Sequence, residues 1–253
     1  CGKLNTHWFI FIASIQVIWI PYFGVRLMIP LRDRNPSGTF PFVTVGIILI
    51  NVLIFFIELS LGPQLDSFLF QFGIVPVKVA YSADIPDSTF VNTYFPFLSY
   101  MFLHGGFIHL IGNMWYLWIF GDNIEDRLGR VRFVLFYLLC GIGSALVHVY
   151  FNSQSGVPCV GASGAIAGVL GAYMVTFPKA RVLVLVPLFI VWEFIELPAV
   201  VVLGFWFLIQ FFSGTASISS AHGGGVAWWA HIGGFVLGVI FIKIFSKSRY
   251  CHV

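Results

Sequence analysis

Gly161-Ala162-Ser163-Gly164-Ala165 opens an apolar stretch that runs on to Val175, and its reading decides the fold. A serine hydroxyl between glycines, at the head of a helix apolar enough for a bilayer, is costly to desolvate and so is a functional candidate. Its counterpart lies downstream in Ala230-His231-Ile232-Gly233-Gly234, where an imidazole opens a second apolar stretch. A hydroxyl and an imidazole brought together are the parts of a nucleophile and its general base. Each also has a plainer reading. Serine is common at close helix contacts, and Gly164-x-x-x-Gly168 and Gly234-x-x-x-Gly238 are small-residue packing patterns in their own right.

Composition supports the bilayer. Of 253 residues, 59% are hydrophobic and 9% charged, whereas soluble domains carry about a quarter charged residues. That leaves too little charge for a separate soluble domain and marks an all-α polytopic membrane protein. Apolar runs near the roughly 20 residues a span needs fall at 42–62, 99–120, 131–152, 159–177, 182–212 and 226–245. A shorter run at 8–24 is a candidate for one additional N-terminal hydrophobic helix.

The basic residues test this count. Arg26, Arg32 and Arg34 precede the first firm segment, and Arg127, Arg130 and Arg132 separate the second from the third. Lys179 and Arg181 follow the fourth, and Lys243, Lys247 and Arg249 end the sixth. Eleven of the thirteen Lys and Arg therefore share one side if six helices alternate. The positive-inside rule puts that side, with both ends of the six-helix core, in the cytoplasm. The net charge of +3 follows from this bias and does not point to nucleic acid.

Several segments carry further expectations. The long first loop, 62–98, mixes Phe68, Leu69, Phe70, Phe72, Ile74 and Val75 with Asp84, Asp87 and Asn92. It reads equally as an interfacial segment or as an apolar cap over the helices. Arg181–Phe212 is too long for one upright helix and should break near Leu197-Pro198, leaving Glu193 and Glu196 at the interface. Gly214 to Gly225 has the Gly and Ser content of a mobile lid. The four cysteines, Cys1, Cys140, Cys159 and Cys251, show no CxxC or zinc spacing and read as free thiols. Met28-Ile29-Pro30-Leu31-Arg32 reads as a natural start for a basic leader.

His109 and Asn113 are spaced i,i+4 and project from one helix face. Two such groups suit an oxyanion or, more plainly, tie helices together. His104 lies five residues before His109, with no HExxH, so metal binding is not indicated. Alternation of the segments places His109, Asn113, Ser163 and His231 at similar depth below one surface, where they can converge.

The chain here resembles the rhomboid family of intramembrane serine proteases, and the bacterial type in particular. The matching motifs are His109-Leu110-Ile111-Gly112-Asn113, Gly161-Ala162-Ser163-Gly164 and Ala230-His231 followed by Gly234 and Gly238, with Glu125-Asp126-Arg127-Leu128-Gly129 as a cytoplasmic turn. The resemblance implies a six-helix rhomboid core at 40–246, a leader at 1–39 and a short tail at 247–253. It implies Ser163 as nucleophile, His231 as general base, and His109, Asn113 and the Ser163 N–H as the oxyanion hole. Gly161, Gly164, Gly168, Gly234 and Gly238 would bring the helices close around this site. No cofactor or metal is implied. The partners implied are transmembrane protein substrates and the lipid bilayer, and the membrane implied is the bacterial plasma membrane.

Two positions depart from the family pattern. Tyr94-Phe95-Pro96-Phe97 stands where many rhomboids carry Trp-Arg, and Ala167 stands where some carry a Tyr against the catalytic histidine. Trp228 or Trp229 is then expected to position His231. The rival readings are a catalytically inactive relative that binds membrane clients, which would lack the serine or histidine, and a transporter, which would show inverted repeats.

Overall fold

Backbone polar groups in lipid must be satisfied within their own segment, and helices do this. In the computed structural model, which describes residues 28–84, 89–188, 191–219 and 227–246, six helices have fourteen or more residues. They are α1 (Phe42–Ser60), α2 (Phe107–Leu128), α3 (Arg130–Phe151), α4 (Ser163–Thr176), α5 (Ala199–Ser219) and α6 (Trp228–Phe245). Among the described residues α1, α3, α5 and α6 are long and apolar enough to cross a membrane. α2 joins them when taken with Val91–Phe102, which meets it at a 77° bend. α4 is shorter, and every residue from Gly164 to Tyr173 is buried. It is the central helix, contacted by α2, α3, α5 and α6.

Boundary shifts have local causes. The long helix of the second segment starts at Phe107, after Gly105-Gly106, and runs through Glu125-Asp126-Arg127 to Leu128. It extends into charged sequence because those side chains are used. No side chain from its own sequence caps α1. Instead the buried Glu125 carboxylate accepts the N–H of Val43 at 3.0 Å, and the N–H and hydroxyl of Thr44, both at 2.8 Å. Asp126 accepts from the Gly38 N–H at 3.1 Å and the Thr39 hydroxyl at 2.7 Å. The motif at 125–129 thus fastens the start of α1 to the end of α2, supplying partners for N–H groups that a helix start leaves open.

The helical class holds, with one element the sequence reading lacked. Two stretches expected within an apolar helical segment form instead an antiparallel strand pair, β2 (Arg181–Leu188) and β3 (Val191–Pro198). Together with β1 (Ile29–Asp33) it makes an antiparallel sheet in the order β1-β2-β3. Val182, Val184 and Val186 are buried at the two-residue period of a strand, and the β-branched content favours that choice. The expected break at Leu197-Pro198 is present: Pro198 ends β3, and α5 starts at Ala199.

β1 belongs to the basic leader, and it is anchored. The Trp115 indole N–H donates to the Pro30 carbonyl at 2.7 Å, and the Tyr173 hydroxyl donates to Asp33 at 2.5 Å. Asn35 hydrogen-bonds Asn123, and Arg34 pairs with Glu196. In its described parts the first loop folds into short helices, among them Leu65–Phe72 and Pro76–Ala80. It docks on the segment before Ser163 through two hydrogen bonds between Ile74 and Cys159, at 3.0 and 2.7 Å. Leu69, Ile74 and Val75 face inward, as in a cap, while Phe70, Tyr94 and Phe95 face outward.

Cys140 and Cys159 are free thiols. The candidate helix at 8–24, the 220–225 part of the expected lid, the tail at 247–253, Cys1 and Cys251 lie outside the described residues. The 214–219 part of that expected lid is the last turn and a half of α5.

Candidate active site

Ser163 is the first residue of α4, and its fourteen residues rise about 21 Å at roughly 1.5 Å each. A hydrocarbon core is about 30 Å thick, so α4 by itself is too short to cross it. His231 lies in the first turn of α6 and is 7% exposed. Its Nε2 is 2.8 Å from the Ser163 Oγ, across a gap of 68 residues in sequence.

Contact between α4 and α6 sets that distance. A Cβ on Gly234 would lie 2.0 Å from the Gly164 carbonyl oxygen, and one on Gly238 would lie 1.9 Å from the Gly168 carbonyl oxygen. The α-carbons of Gly164 and Gly168 face elsewhere. Their missing side chains make room for Ser144 and Cys140 of α3. All four glycines sit at helix contacts, and the two on α6 form the direct contact with the serine helix.

His109 and Asn113 come together on the inner side of α2, facing the Ser163 turn. Gly161, with φ +127°, passes so near that a Cβ there would lie 2.7 Å from His109 Nε2 and 3.5 Å from Asn113 Nδ2. The Gly105 N–H donates to His109 Nδ1 at 3.4 Å. Since Nδ1 accepts, the ring hydrogen sits on Nε2, the atom aimed at the Ser163 turn. Asn113 donates through Nδ2 to His104 Nε2 at 3.0 Å. The His104 N–H in turn donates to both oxygens of the buried Glu58, at 3.1 and 3.2 Å. The Tyr100 carbonyl accepts the Gly161 N–H at 2.9 Å, fixing the turn from the other side.

Of the two tryptophans expected beside His231, one is there. Trp228 approaches edge-on, with ring centroids 6.3 Å apart, and Trp206 of α5 lies at 5.9 Å. Trp229 instead stacks on Phe151 of α3 at 3.8 Å and takes no part. Ala167 is fully buried beneath α6. His231 Nδ1 is 2.7 Å from Oε1 of Gln210, itself 6% exposed. Sequence reading passed over Gln210, although it is the lone polar side chain in the apolar run Ala199–Phe212. It also passed over Glu58, a carboxylate at the end of an otherwise uncharged helix.

Chemically, the arrangement presents an oxygen nucleophile to an imidazole nitrogen, beside two N–H donors and sheltered by apolar packing. Among the described residues, no group of three or more His, Cys, Asp or Glu converges to hold a metal ion.

Comparison with known proteins agrees with this architecture. The family model described as "Rhomboid domain" matches residues 91–248. Presenilin-associated rhomboid-like protein A, mitochondrial, from Danio rerio is 33% identical over 159 residues, covering 58% of this chain and 36% of that protein. Rhomboid protein 1, mitochondrial, from Saccharomyces cerevisiae is 31% identical over 156 residues, covering 58% and 40%. RHOMBOID-like protein 5 from Arabidopsis thaliana is 42% identical over 77 residues, covering 30% and 25%. The chain thus spans between a quarter and two fifths of the length of these relatives. All three are eukaryotic and two carry "mitochondrial" in their names, so they lend no support to the expected bacterial plasma membrane. The match over 91–248 covers more than half of a multi-pass membrane chain, and the chain belongs to the rhomboid family.

Proposed function

We propose that this rhomboid is an intramembrane serine endopeptidase that hydrolyses peptide bonds in or near transmembrane segments of protein substrates through a Ser163–His231 dyad. The observation that carries the reading is the 2.8 Å approach of His231 Nε2 to Ser163 Oγ, beside a turn faced by His109 and Asn113.

In the proposed mechanism the Ser163 Oγ attacks the substrate carbonyl carbon while His231 Nε2 takes the hydroxyl proton. The developing oxyanion is held by the His109 Nε2 hydrogen, the Asn113 amide and the Ser163 N–H. His231 then gives its proton to the leaving amine, which departs as the new N-terminus and leaves a Ser163 ester. Water, deprotonated by His231, attacks the ester, and His231 returns that proton to the departing Ser163 Oγ as the new carboxylate is released. No step needs a cofactor. Burial of the base strengthens its electrostatic contacts by excluding water.

The protease domain is placed at 40–246, after a leader at 1–39 and before a tail at 247–253. The clustering of Lys and Arg supports an orientation with both ends of the core on the cytoplasmic side and with Ser163 opening towards the other face. Substrate would reach it laterally past α5. A substrate helix must unwind locally to expose its bond, so segments with small, helix-weak residues at the cut should be preferred.

The test is cleavage of a model transmembrane substrate in detergent by wild type, Ser163→Ala and His231→Ala, with fluorophosphonate labelling alongside. Loss of cleavage and labelling in both folded variants is expected. Cleavage retained in either variant, or none by wild type across several substrates, overturns the reading.

A further inference from the structure

A dyad without a carboxylate leaves open which ring nitrogen of its base carries the hydrogen. Neutral imidazole has one donor and one acceptor nitrogen. Proton abstraction from Ser163 requires the acceptor at Nε2, so Nδ1 must be the donor. The other tautomer directs an N–H at the serine oxygen and cannot take its proton.

At Nδ1, 2.7 Å away, is Oε1 of Gln210. An amide oxygen only accepts, so this contact is satisfied by Nδ1–H and leaves the Nε2 lone pair facing the Ser163 hydroxyl. Gln210 is buried, so water does not compete for the position. Trp206 lies one turn earlier on the same face of α5, against the ring at 5.9 Å. α5 therefore brings both a flat apolar wall and a hydrogen-bond acceptor to the imidazole.

We infer that Gln210 is the positioning residue of the base: its side-chain carbonyl holds His231 in the tautomer that can deprotonate Ser163. The inference rests on the proposed dyad. It assigns to a neutral amide the orienting half of the task that a carboxylate performs in a triad, without the charge that stabilises an imidazolium. A base held from α5 is set only while α5 is docked on α6, so cutting competence is tied to the seating of that helix.

Nitrogen NMR of the full-length protein in detergent, labelled with 15N at histidine and assigned with His231→Ala, reads the tautomer directly. Hydrogen on Nδ1 is expected in wild type, and loss of that single tautomer is expected in Gln210→Leu. In cleavage assays Gln210→Leu should lower kcat by about 10- to 100-fold with little change in KM, less than the roughly 10^4-fold cost of a wrong tautomer in a carboxylate triad. Gln210→Glu, which restores an acceptor oxygen, should recover most of that loss. Hydrogen on Nε2 in wild type overturns the inference whatever the variants do, as does unchanged kcat in a folded Gln210→Leu. If wild type shows Nδ1–H and cleaves nothing, the peptidase reading falls while the Gln210–His231 contact stands.

Discussion

Gly238 of α6 meets Gly168 of α4 with no room for a side chain: a methyl carbon there would lie 1.9 Å from the Gly168 carbonyl oxygen. The obstacle is backbone, which cannot swing aside as a side chain can, so any larger residue must force the two helices apart. Those helices carry the serine and the histidine.

Gly238→Ala should therefore weaken both fold and site. Overpacking costs about 1–3 kcal/mol and more where the neighbour cannot yield, which for a chain of this size is a fall in Tm of roughly 5 °C. Thermal unfolding in detergent, paired with the cleavage assay, measures both losses. Gly204→Ala is the control, because nothing lies within 4 Å of a Cβ at that position. Equal Tm values for the two variants would remove the close contact as the cause.

Gly161→Ala should separate folding from catalysis. Its φ of +127° is unfavourable to a side chain, and the added methyl would occupy the space at 2.7 Å from His109 Nε2, where the oxyanion is proposed to form. Loss of one oxyanion donor typically lowers kcat by about 10²–10³-fold. Gly161→Ala should do at least as much, and Asn113→Ala about that, with fluorophosphonate labelling slowed in both. Wild-type labelling of a folded Gly161→Ala would show that the oxyanion lies elsewhere.

The sequence made the site motifs legible because glycine, serine and histidine are conspicuous in apolar surroundings. It hid Gln210 because one amide in an apolar helix has no partner until the helix is docked. The pairing of β2 with β3 was hidden for another reason. Its Val-rich, two-sided apolar run has no charge alternation to distinguish a buried strand from a buried helix, and Pro187 and Pro198 were the available signals. Glu125-Asp126 was legible as a turn motif, but its task of capping α1 across more than eighty residues of sequence was not.

That task gives a prediction for stability alone. Glu125→Ala removes an acceptor shared by the Val43 N–H, the Thr44 N–H and the Thr44 hydroxyl. Stranding a buried donor costs about 1–3 kcal/mol, so the variant should lose on the order of 3 kcal/mol or more. Any activity that remains should show unchanged KM, because the cap lies at the far end of α2 from His109. Denaturant or thermal unfolding measures the first and initial rates the second. A variant as stable as wild type would mean that water replaces the carboxylate.

Stability should also depend on pH through Asp33. Burial of this strand residue pushes its carboxyl up from 3.8 to about 6, with nearby Asp122 adding to the rise and the hydrogen bond from Tyr173 opposing it. The folded state therefore holds this proton more tightly than the unfolded chain, and stability attributable to Asp33 falls as pH rises from about 4 to 6. Above pH 6 the cost of a half-buried charge is fully present. Asp33→Asn keeps an oxygen to accept from Tyr173 and removes the charge. It should therefore match wild type in Tm near pH 4 and exceed it at pH 7.5, with the gap opening through pH 6. Tm values for both proteins across that range decide it. A gap that stays constant with pH, or that favours wild type at pH 7.5, would show that the ionised carboxylate is stabilised by partners in the leader and not penalised by burial.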